Sequence, residues 1–383
     1  MGCSIMSELK VDTIVNLAGT GKPNLPVAPT LGGTALASAN TYIYTSSGTE
    51  PSSPKNGHLW WDSSKEKVML YINGEFKQVT LNGTFSSFDW GGDRAVTQFQ
   101  GNTQMDYFDI TSASNAADFG DLYSSPYYAA GGISNGSRGI FSGGVGRNDI
   151  AYITTSSLGN STDFGDMTYQ SIDANSNTYG HAGCSDNTRG LFMGGYHANG
   201  NGTNQIHYIT ILTAGNSVDF GDLAQSREHG SGASNGTYGA TAGGQAPSLI
   251  NNIDRVTIQT TGNATDHGDL TLSRHYISGW GVAAKATFVG GQVSSNANRI
   301  DSVDLNTSGN STDYGDLTNN RYAAASTGNA DYGVAAGGNS YDNSNSAVNV
   351  IDRWSMSTSG NAADHGDLTS SRQYGSGVSG AAS

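Results

Sequence analysis

Twelve aspartates stand in one repeated motif and have the chemistry to bind metal ions. The motif Asp-[Phe/Tyr/His]-Gly-Asp-[Leu/Met] occurs six times, with its glycine at Gly120, Gly165, Gly221, Gly268, Gly315 and Gly366. Carboxylates and backbone carbonyls in turns suit Ca²⁺, so six calcium sites are one interpretation. Aspartates also accept hydrogen bonds from backbone N–H groups in turns. Because a ligand site rarely recurs six times in one chain, we favour turn stabilisation and predict no metal and no cofactor, leaving calcium open.

Four arginines recur shortly after the motif, at Arg227, Arg274, Arg321 and Arg372. An arginine in this position can pair with a turn aspartate, or it can line a surface that binds a ligand. We favour the pairing and keep the four arginines as candidates for a receptor-facing surface. The first two copies of the motif lack the arginine, which weakens the idea of a shared site. His267 and His365 replace a Phe or Tyr of other copies, so we expect them to fill an aromatic position rather than to ligate a metal.

Variable loops and links carry the residues best suited to recognition. The loop after each recurring Gly-Gly pair differs in length, and residues 196–205, 245–252 and 339–349 form the longer ones. Variable loops on a rigid scaffold are where binding residues concentrate. The candidate receptor-facing residues in these loops and links are Tyr196, His197, Asn199, Tyr276, Trp280, Tyr322, Tyr341 and Tyr374. Taken singly, each is more typical of packing or of a solvated surface.

The spacing of the motif predicts the elements that hold these residues. Successive motif glycines lie 45, 56, 47, 47 and 51 residues apart. The Gly-Gly pair recurs in step and begins at Gly91, Gly143, Gly194, Gly243, Gly290 and Gly337. Each unit contains four short strand-like segments, which predicts an all-β fold, a six-bladed β-propeller of the kelch type. A β-helix would need only about 20 residues per coil, so the longer period of this repeat argues against a β-helix.

The two ends of the repeat region complement each other. Residues 371–383 match the first strand of a unit and then stop, whereas residues 82–92 match a second strand that ends in Gly91-Gly92. We therefore predict that N- and C-terminal segments share one blade and close the ring, which removes its exposed edges.

Charge divides the chain before the repeats begin. Residues 1–83 carry no net charge, so the whole net charge of −14 lies beyond them. We predict an attachment arm and linker over 1–50, a small β-hairpin module over 51–81 and the propeller over 82–383. Pro23, Pro26 and Pro29 favour an extended linker. Strands at 58–62 and 68–72, a hairpin turn at Asn73-Gly74, and Trp60 or Trp61 as apolar anchor define the module.

Composition excludes several classes of protein. The chain has no run of 18 apolar residues, so no membrane insertion is expected. Its acidity disfavours nucleic acid, because phosphate contacts need clustered Lys and Arg. Two cysteines cannot build a disulfide framework.

Three segments resemble virion proteins of tailed bacteriophages, particularly those that infect marine cyanobacteria. ELKVDTIVNLAGTGKPN, at residues 8–24, resembles the start of such structural proteins. PSSPKNGHLWWD, at 51–62, is similar to a hairpin common in phage fibres, and the repeat resembles kelch-like repeats of virion proteins. The resemblance implies an N-terminal region docked on the particle and a propeller that meets the host surface.

From this resemblance we expect a non-enzymatic short tail fibre in the virion. Residues 1–81 would contact other virion proteins (a tail adaptor, the tube or the capsid), and the propeller would contact a host-surface glycan or protein. Phage fibres of this kind are usually trimers, so a homo-oligomer is expected. The alternative is a capsid-decorating or head-fibre protein. A third reading is an enzyme, either a glycan depolymerase or a kelch-type copper oxidase, but the repeats hold one glutamate, Glu228, and scattered histidines.

Overall fold

The computed structural model describes residues 9–10, 30–31, 34–35, 44–47, 51–52, 59–62, 67–72, 75–78, 92–124, 131–144, 147–168, 179–196, 202–293 and 298–380. Every regular element in these residues is a β-strand, as the repeat predicts. No helix among them is long and apolar enough to cross a membrane. The chain forms two compact units, Met1–Phe85 and Ser86–Ser383.

The first unit contains two small sheets. One is built from the short strands Leu9–Lys10, Thr30–Leu31 and Thr34–Ala35, and the other from Tyr44–Ser47, Leu59–Asp62, Lys67–Ile72 and Glu75–Gln78. In the second sheet Ile72 pairs with Glu75, so two residues separate the paired strands; the predicted turn residues, Asn73 and Gly74, lie outside the described residues. Trp60 is the buried anchor, at 4% exposure. The parallel pairing of Tyr44–Ser47 with Leu59–Asp62 was not predicted, and the proline-spaced linker lies outside the described residues.

The second unit is the predicted six-bladed β-propeller. Each blade is an antiparallel sheet with an inner, second, third and outer strand. In that order, blade one is Gly375–Gly380, Arg94–Phe99, Gln104–Asp109 and Ala117–Asp121; blade two is Ile133–Ser134, Arg138–Gly144, Arg147–Thr154 and Thr162–Asp166; blade three is Ala182–Ser185, Arg189–Met193, Thr203–Thr210 and Val218–Arg227. Blade four is Ser231–Ser234, Tyr238–Ala242, Asn252–Thr257 and Thr265–Asp269; blade five is Ser278–Val282, Lys285–Val289, Arg299–Asp304 and Thr312–Asp316; blade six is Ala325–Gly328, Tyr332–Ala336, Ser346–Ser355 and Ala363–Arg372, with a side ladder between Arg321–Tyr322 and Asn339–Ser340.

Blade one closes the ring, as predicted, but with a different second strand. The C-terminal strand Gly375–Gly380 pairs residue by residue with Arg94–Phe99. The prediction that residues 82–92 form this strand is therefore wrong. Its marker, Gly91-Gly92, precedes the strand, and Phe99 stands at the position where the other blades have the first glycine of the pair. Gly91-Gly92 therefore matches the residue types of the glycine pair but not its position relative to the second strand.

The inner strands lie unusually close to one another around the axis. A Cβ added at Gly232 would come within 2.2 Å of the carbonyl oxygen of Gly183 in the neighbouring blade, so only glycine fits. Serine hydroxyls add hydrogen bonds between these strands. Ser234 Oγ donates to Ser185 O at 2.6 Å, and Ser185 Oγ donates to Ser134 O at 2.8 Å. The channel they enclose has a cavity volume of about 110 Å³.

The apolar core lies between adjacent blades. In the interface of blades four and five, for example, Ile253 and Leu270 pack with Ile277 and Phe288. The second residue of the repeated motif contributes to these interfaces and is buried in all six copies, as Phe119, Phe164, Phe220, His267, Tyr314 and His365. His267 Nε2 is hydrogen bonded to Asp304 O at 2.8 Å and His365 Nε2 to Asp109 O at 2.7 Å. Both histidines therefore fill the predicted aromatic position.

The repeated motif joins each outer strand to the next blade. Asp269 N donates to Asn310 Oδ1 at 3.0 Å, Gly309 N donates to His267 O, and Ser311 N donates to Asp269 O, each at 2.8 Å. We call this set of bonds the inter-blade clasp. All six interfaces contain the same amide contact, from Asn115, Asn160, Asn216, Asn263, Asn310 and Asn361. The clasp between blades six and one joins residues far apart in the chain, so it reinforces the ring closure.

The motif glycine is required by the clasp. Gly268 has φ +144°, a conformation that L side chains rarely adopt, and a Cβ there would lie 2.2 Å from Gly309 O. The first motif aspartate stabilises the same turn, since Asp266 Oδ1 accepts a hydrogen bond from Gly268 N at 3.3 Å. Equivalent bonds occur at Asp118, Asp313 and Asp364. The predicted turn-stabilising role of this aspartate is confirmed in these four copies.

Candidate functional site

One end of the channel carries the same short ladder in four successive blades. Each ladder pairs the segment leading into an inner strand with the loop that follows the second strand. The pairs are Tyr179 with Tyr196, Glu228 with Gln245, His275 with Gln292, and Tyr322 with Asn339. Because the pairs are equivalent, they lie at the same end of the propeller. We call this end the mouth.

A ring of left-handed residues follows the ladders. His229, Tyr276 and Tyr374 have φ values of 56°, 51° and 50°, and the equivalent positions hold Gly180 and Ala323, at 67° and 56°. Backbone hydrogen bonds link these residues from blade to blade: His229 N to Gly180 O at 2.7 Å, Tyr276 N to His229 O at 2.8 Å, and Ala323 N to Tyr276 O at 2.8 Å. The left-handed conformation is therefore fixed by the ring itself and not by the side chain.

Aromatic rings form a continuous cluster on this framework. We call it the mouth cluster; its members are Tyr179, Tyr196, His229, His275, Tyr276, Tyr322, Tyr341 and Tyr374. Tyr179 stacks on Tyr196 with ring centroids 4.7 Å apart, and His229 lies against Tyr276 at 4.1 Å. Tyr276 contacts Tyr374 at 5.3 Å. Tyr322 is buried, and the other seven rings are half-buried, so they keep part of their surface in solvent.

Polar contacts orient the rings of the cluster. Tyr276 Oη is hydrogen bonded to His229 Nε2 at 3.2 Å, and His275 Nε2 to Gln292 Oε1 at 2.9 Å. Asn339 Nδ2 donates to Tyr322 Oη at 3.2 Å. The first of these contacts joins blades four and five, whereas the other two lie within blade five and within blade six.

Burial keeps the histidines of the cluster neutral. It lowers the pKa of His229 to about 3, and the nearby His275 adds to the effect. Burial also lowers the pKa of His275, although the hydrogen bond to Gln292 opposes the change. Glu228, whose Oε2 lies 4.0 Å from His229 Nε2, has its pKa raised by burial. At neutral pH the mouth cluster therefore carries no positive charge, and Glu228 is the one carboxyl group among its ladder residues.

The four arginines lie beneath the mouth in buried ion pairs. Arg227 Nη2 is 2.9 Å from Asp254 Oδ2, Arg274 Nη2 is 3.2 Å from Asp301 Oδ2, and Arg321 Nη2 is 3.0 Å from Asp352 Oδ2; Arg372 Nη2 is 3.5 Å from Asp106 Oδ1. All four arginine side chains are buried. The proposed receptor-facing role of Arg227, Arg274, Arg321 and Arg372 is therefore wrong. The pairing was predicted, but its partner is an aspartate of the third strand and not one of the turn.

Sequence reasoning missed these third-strand aspartates, although the repeat contains the signal. Blades that have the arginine also have the aspartate, at Asp254, Asp301, Asp352 and Asp106. The two blades that lack the arginine have Ala151 and His207 at the equivalent third-strand position. The joint presence and absence of the two residues points to a direct pair, because either charge buried alone is costly.

The predicted recognition residues divide into three groups. Tyr196, Tyr276, Tyr322 and Tyr341 lie in the mouth cluster, together with Tyr374. Trp280 does not, since its Nε1 donates to Asn329 O at 3.1 Å, in the turn between the first two strands of blade six at the other end of the channel. Trp280 packs against the core between blades five and six, so its assignment to the mouth is wrong. His197 and Asn199 lie outside the described residues.

Within the described residues, no group of three or more His, Cys, Asp or Glu is placed to hold a metal ion. No protein-family model matches the chain, and no curated protein matches it either. The mouth cluster is the candidate site on geometry alone. What it offers is a set of aromatic faces, tyrosine hydroxyls and amides on a rigid ring.

Proposed function

We propose that this protein is a non-enzymatic virion component of a tailed bacteriophage. In this proposal it is a short tail fibre, with residues 1–81 attached to the particle and the propeller recognising the host surface through the mouth cluster. The resemblance of residues 8–24 and 51–62 to phage structural proteins supports the virion assignment. The mouth cluster supports the recognition role.

The observation that carries the recognition role is the residue type at the left-handed positions. A left-handed backbone favours glycine, and one described blade has Gly180 there. Three blades have His229, Tyr276 or Tyr374, although a bulky residue in this region costs about 1–3 kcal/mol. A purely structural role would favour glycine throughout. Half-buried rings at a strained position are typical of a binding surface.

The chemistry of the mouth favours binding over catalysis. Glycoside hydrolysis uses two carboxyl groups with different roles, and Glu228 is the one carboxyl group among the ladder residues. Tyrosine and histidine rings that are neutral and hydrogen bonded to each other serve well as contact surfaces.

An adsorption assay with the full chain tests the recognition role. Purified protein added to host cells should reduce, in a dose-dependent way, the number of virions that later adsorb. The variant Tyr276→Gly should lose this inhibition and stay folded. Leu158→Ala is the matched control, because Leu158 is 55% exposed in a turn at the end of blade two away from the mouth. Undiminished adsorption with folded wild-type protein would refute the recognition role.

Immunogold labelling of purified particles tests the virion assignment separately. Label at the tail supports the tail fibre. Label distributed over the head would replace it with the capsid-decorating or head-fibre alternative, and particles without label would overturn both.

A further inference from the structure

We infer that the mouth cluster binds an uncharged glycan segment of several sugar residues, lying along its line of aromatic rings. The inference rests on the proposed function for its biological setting and deepens it by naming the ligand class. Its physical basis is the shape of the cluster, its unpaired acceptors and its charge.

The rings form a track and not a single pocket. From Tyr196 the ring contacts run through Tyr179, His229 and Tyr276 to Tyr322 and Tyr341, with centroid separations of 4.7, 5.8, 4.1, 6.0 and 5.2 Å. The track crosses blades three to six. Half-buried aromatic rings combine an apolar face with a polar edge, which suits the alternating C–H and hydroxyl surfaces of sugar rings. Because the track extends over four blades, it fits several linked sugars.

Two buried acceptor atoms beside the track, Glu228 Oε2 and Asn339 Oδ1, have no hydrogen-bond donor in the described protein. Asn339 is 5% exposed and its Nδ2 is bonded to Tyr322 Oη, so its amide lies at the track. A third buried acceptor without a donor, Gln100 Oε1, belongs to a residue next to Tyr374 of the mouth cluster, since Gln100 N donates to Tyr374 O at 3.2 Å. Buried acceptors without donors are costly. A hydroxyl donor of a ligand would satisfy them once their side chains turn toward the mouth.

Charge selects an uncharged ligand over an acidic one. His229, the histidine of the track, is neutral at pH 7 because burial lowers its pKa to about 3, and Glu228 would repel an anion. The arginines beneath the mouth are already bound to Asp254, Asp301, Asp352 and Asp106 and are buried. The named residues therefore supply no free cation for a carboxylated, sulfated or phosphorylated sugar.

Calorimetric titration of the full-length protein with defined oligosaccharides tests the inference. The probes are neutral glucan, mannan and galactan fragments of one to six sugars, with oligogalacturonate as the acidic comparator. We expect at least one neutral series to bind, with affinity that increases with chain length, and no tighter binding of the acidic series. Because burial lowers the pKa of His229 to about 3, protonation of His229 should contribute no change in affinity between pH 8 and pH 6.

Two kinds of variant locate the binding. Tyr276→Gly should weaken binding by about tenfold or more, which corresponds to the loss of one good aromatic contact. Tyr341→Ala removes a ring from a loop after a second strand and is the second variant should Tyr276→Gly fail to fold. Leu158→Ala should bind as the wild type does.

The outcomes separate this inference from the proposed function. Tighter binding of oligogalacturonate, length-independent affinity, or variants that bind as wild type would overturn the inference. Loss of virion adsorption without binding of any neutral series would overturn it and leave host recognition intact, pointing to a protein receptor. Neutral-glycan binding without any effect on adsorption would support the inference and refute the proposed function.

Discussion

Two nearby residues of the link into blade five have different roles, one in the framework and one in the proposed recognition surface. Arg274 is buried and bound to Asp301, whereas Tyr276, two positions later, keeps part of its ring in solvent. Burial lowers the pKa of Arg274 and the Asp301 carboxylate opposes this effect. The arginine could be found from the sequence because it recurs. Its burial could not, because a repeated charge fits a surface ring and an internal ion pair equally well until the fold is known.

Breaking one of these pairs should destabilise the propeller more than removing both partners. Asp301→Ala leaves the Arg274 guanidinium buried without its carboxylate, so we expect a loss of about 3–5 kcal/mol in the free energy of unfolding. The double variant Arg274→Met, Asp301→Ala should be less destabilised than this single variant. Recovery should be incomplete, because Asp301 also accepts hydrogen bonds from Thr271 N and Oγ1, at 3.0 and 2.7 Å. Urea unfolding gives the free energy of unfolding of the wild type, the single variant and the double variant. A double variant less stable than Asp301→Ala would contradict the prediction.

A buried histidine should make the protein sensitive to acid. Burial lowers the pKa of His181 to about 3, with a further contribution from His207. The unfolded chain therefore takes up a proton as the pH falls below about 6.5 while the folded chain does not, so stability is full above that pH and decreases below it. At pH 5 the loss from His181 is about 2 kcal/mol.

The variant His181→Gln isolates this effect. It should be less stable than wild type at pH 8, because His181 Nε2 is bonded to Ser142 Oγ at 2.8 Å. Its free energy of unfolding should fall less steeply between pH 7 and pH 5 than that of the wild type. If the free energy of unfolding fell equally steeply with pH in both proteins, the assignment of the acid sensitivity to His181 would be refuted.

At the scale of elements, the inter-blade clasp explains why one motif recurs six times. Its glycine, asparagine and aspartate were visible in the sequence, and the turn role of the aspartate followed from its residue type. That the turn of one blade bonds to the outer strand of another could not be predicted, because the pattern shows spacing along the chain and not which blades meet. The same limit produced the error in blade one, where Gly91-Gly92 imitates the end of a second strand and the true strand, Arg94–Phe99, lacks the marker.

Paired glycine variants measure the steric part of the clasp. Gly268 and Gly262 have similar backbone conformations, with φ +144° and +152°, but a Cβ at Gly262 meets nothing within 4 Å. Gly262→Ala therefore bears only the backbone cost, about 1 kcal/mol or more. Gly268→Ala adds a collision with Gly309 O, and we expect it to lower the midpoint of thermal unfolding clearly further. Equal midpoints for the two variants would show that the close approach contributes nothing.

At the scale of the whole molecule, the period of the repeat and the incomplete unit at its C-terminal end were enough to predict a closed six-bladed ring. The ligand of the mouth could not be predicted in this way. The rings converge there from five blades through links of similar sequence, so their proximity depends on the closed ring and on the left-handed backbone, neither of which a pattern of residue types displays. Closure therefore matters for the site as well as for stability.

Removing the closing strand should open the ring and disperse the site. Deletion of residues 375–383 exposes the inner edge of Arg94–Phe99 and removes Val378, which is 2% exposed in the core between blades one and two. An unpaired edge promotes aggregation, so we expect a lower unfolding midpoint, a less cooperative transition and loss of oligosaccharide binding. Deletion of residues 381–383 is the control, because it leaves every pair with Arg94–Phe99 intact. Adding the peptide 374–383 should restore the unfolding midpoint of the variant that lacks residues 375–383. The gain should increase with the peptide concentration, since the peptide binds the folded form. If the variant with the larger deletion unfolded at the same urea concentration as the wild type, the ring would be stable without the closing strand. The clasp between blades six and one would then hold the ring closed alone.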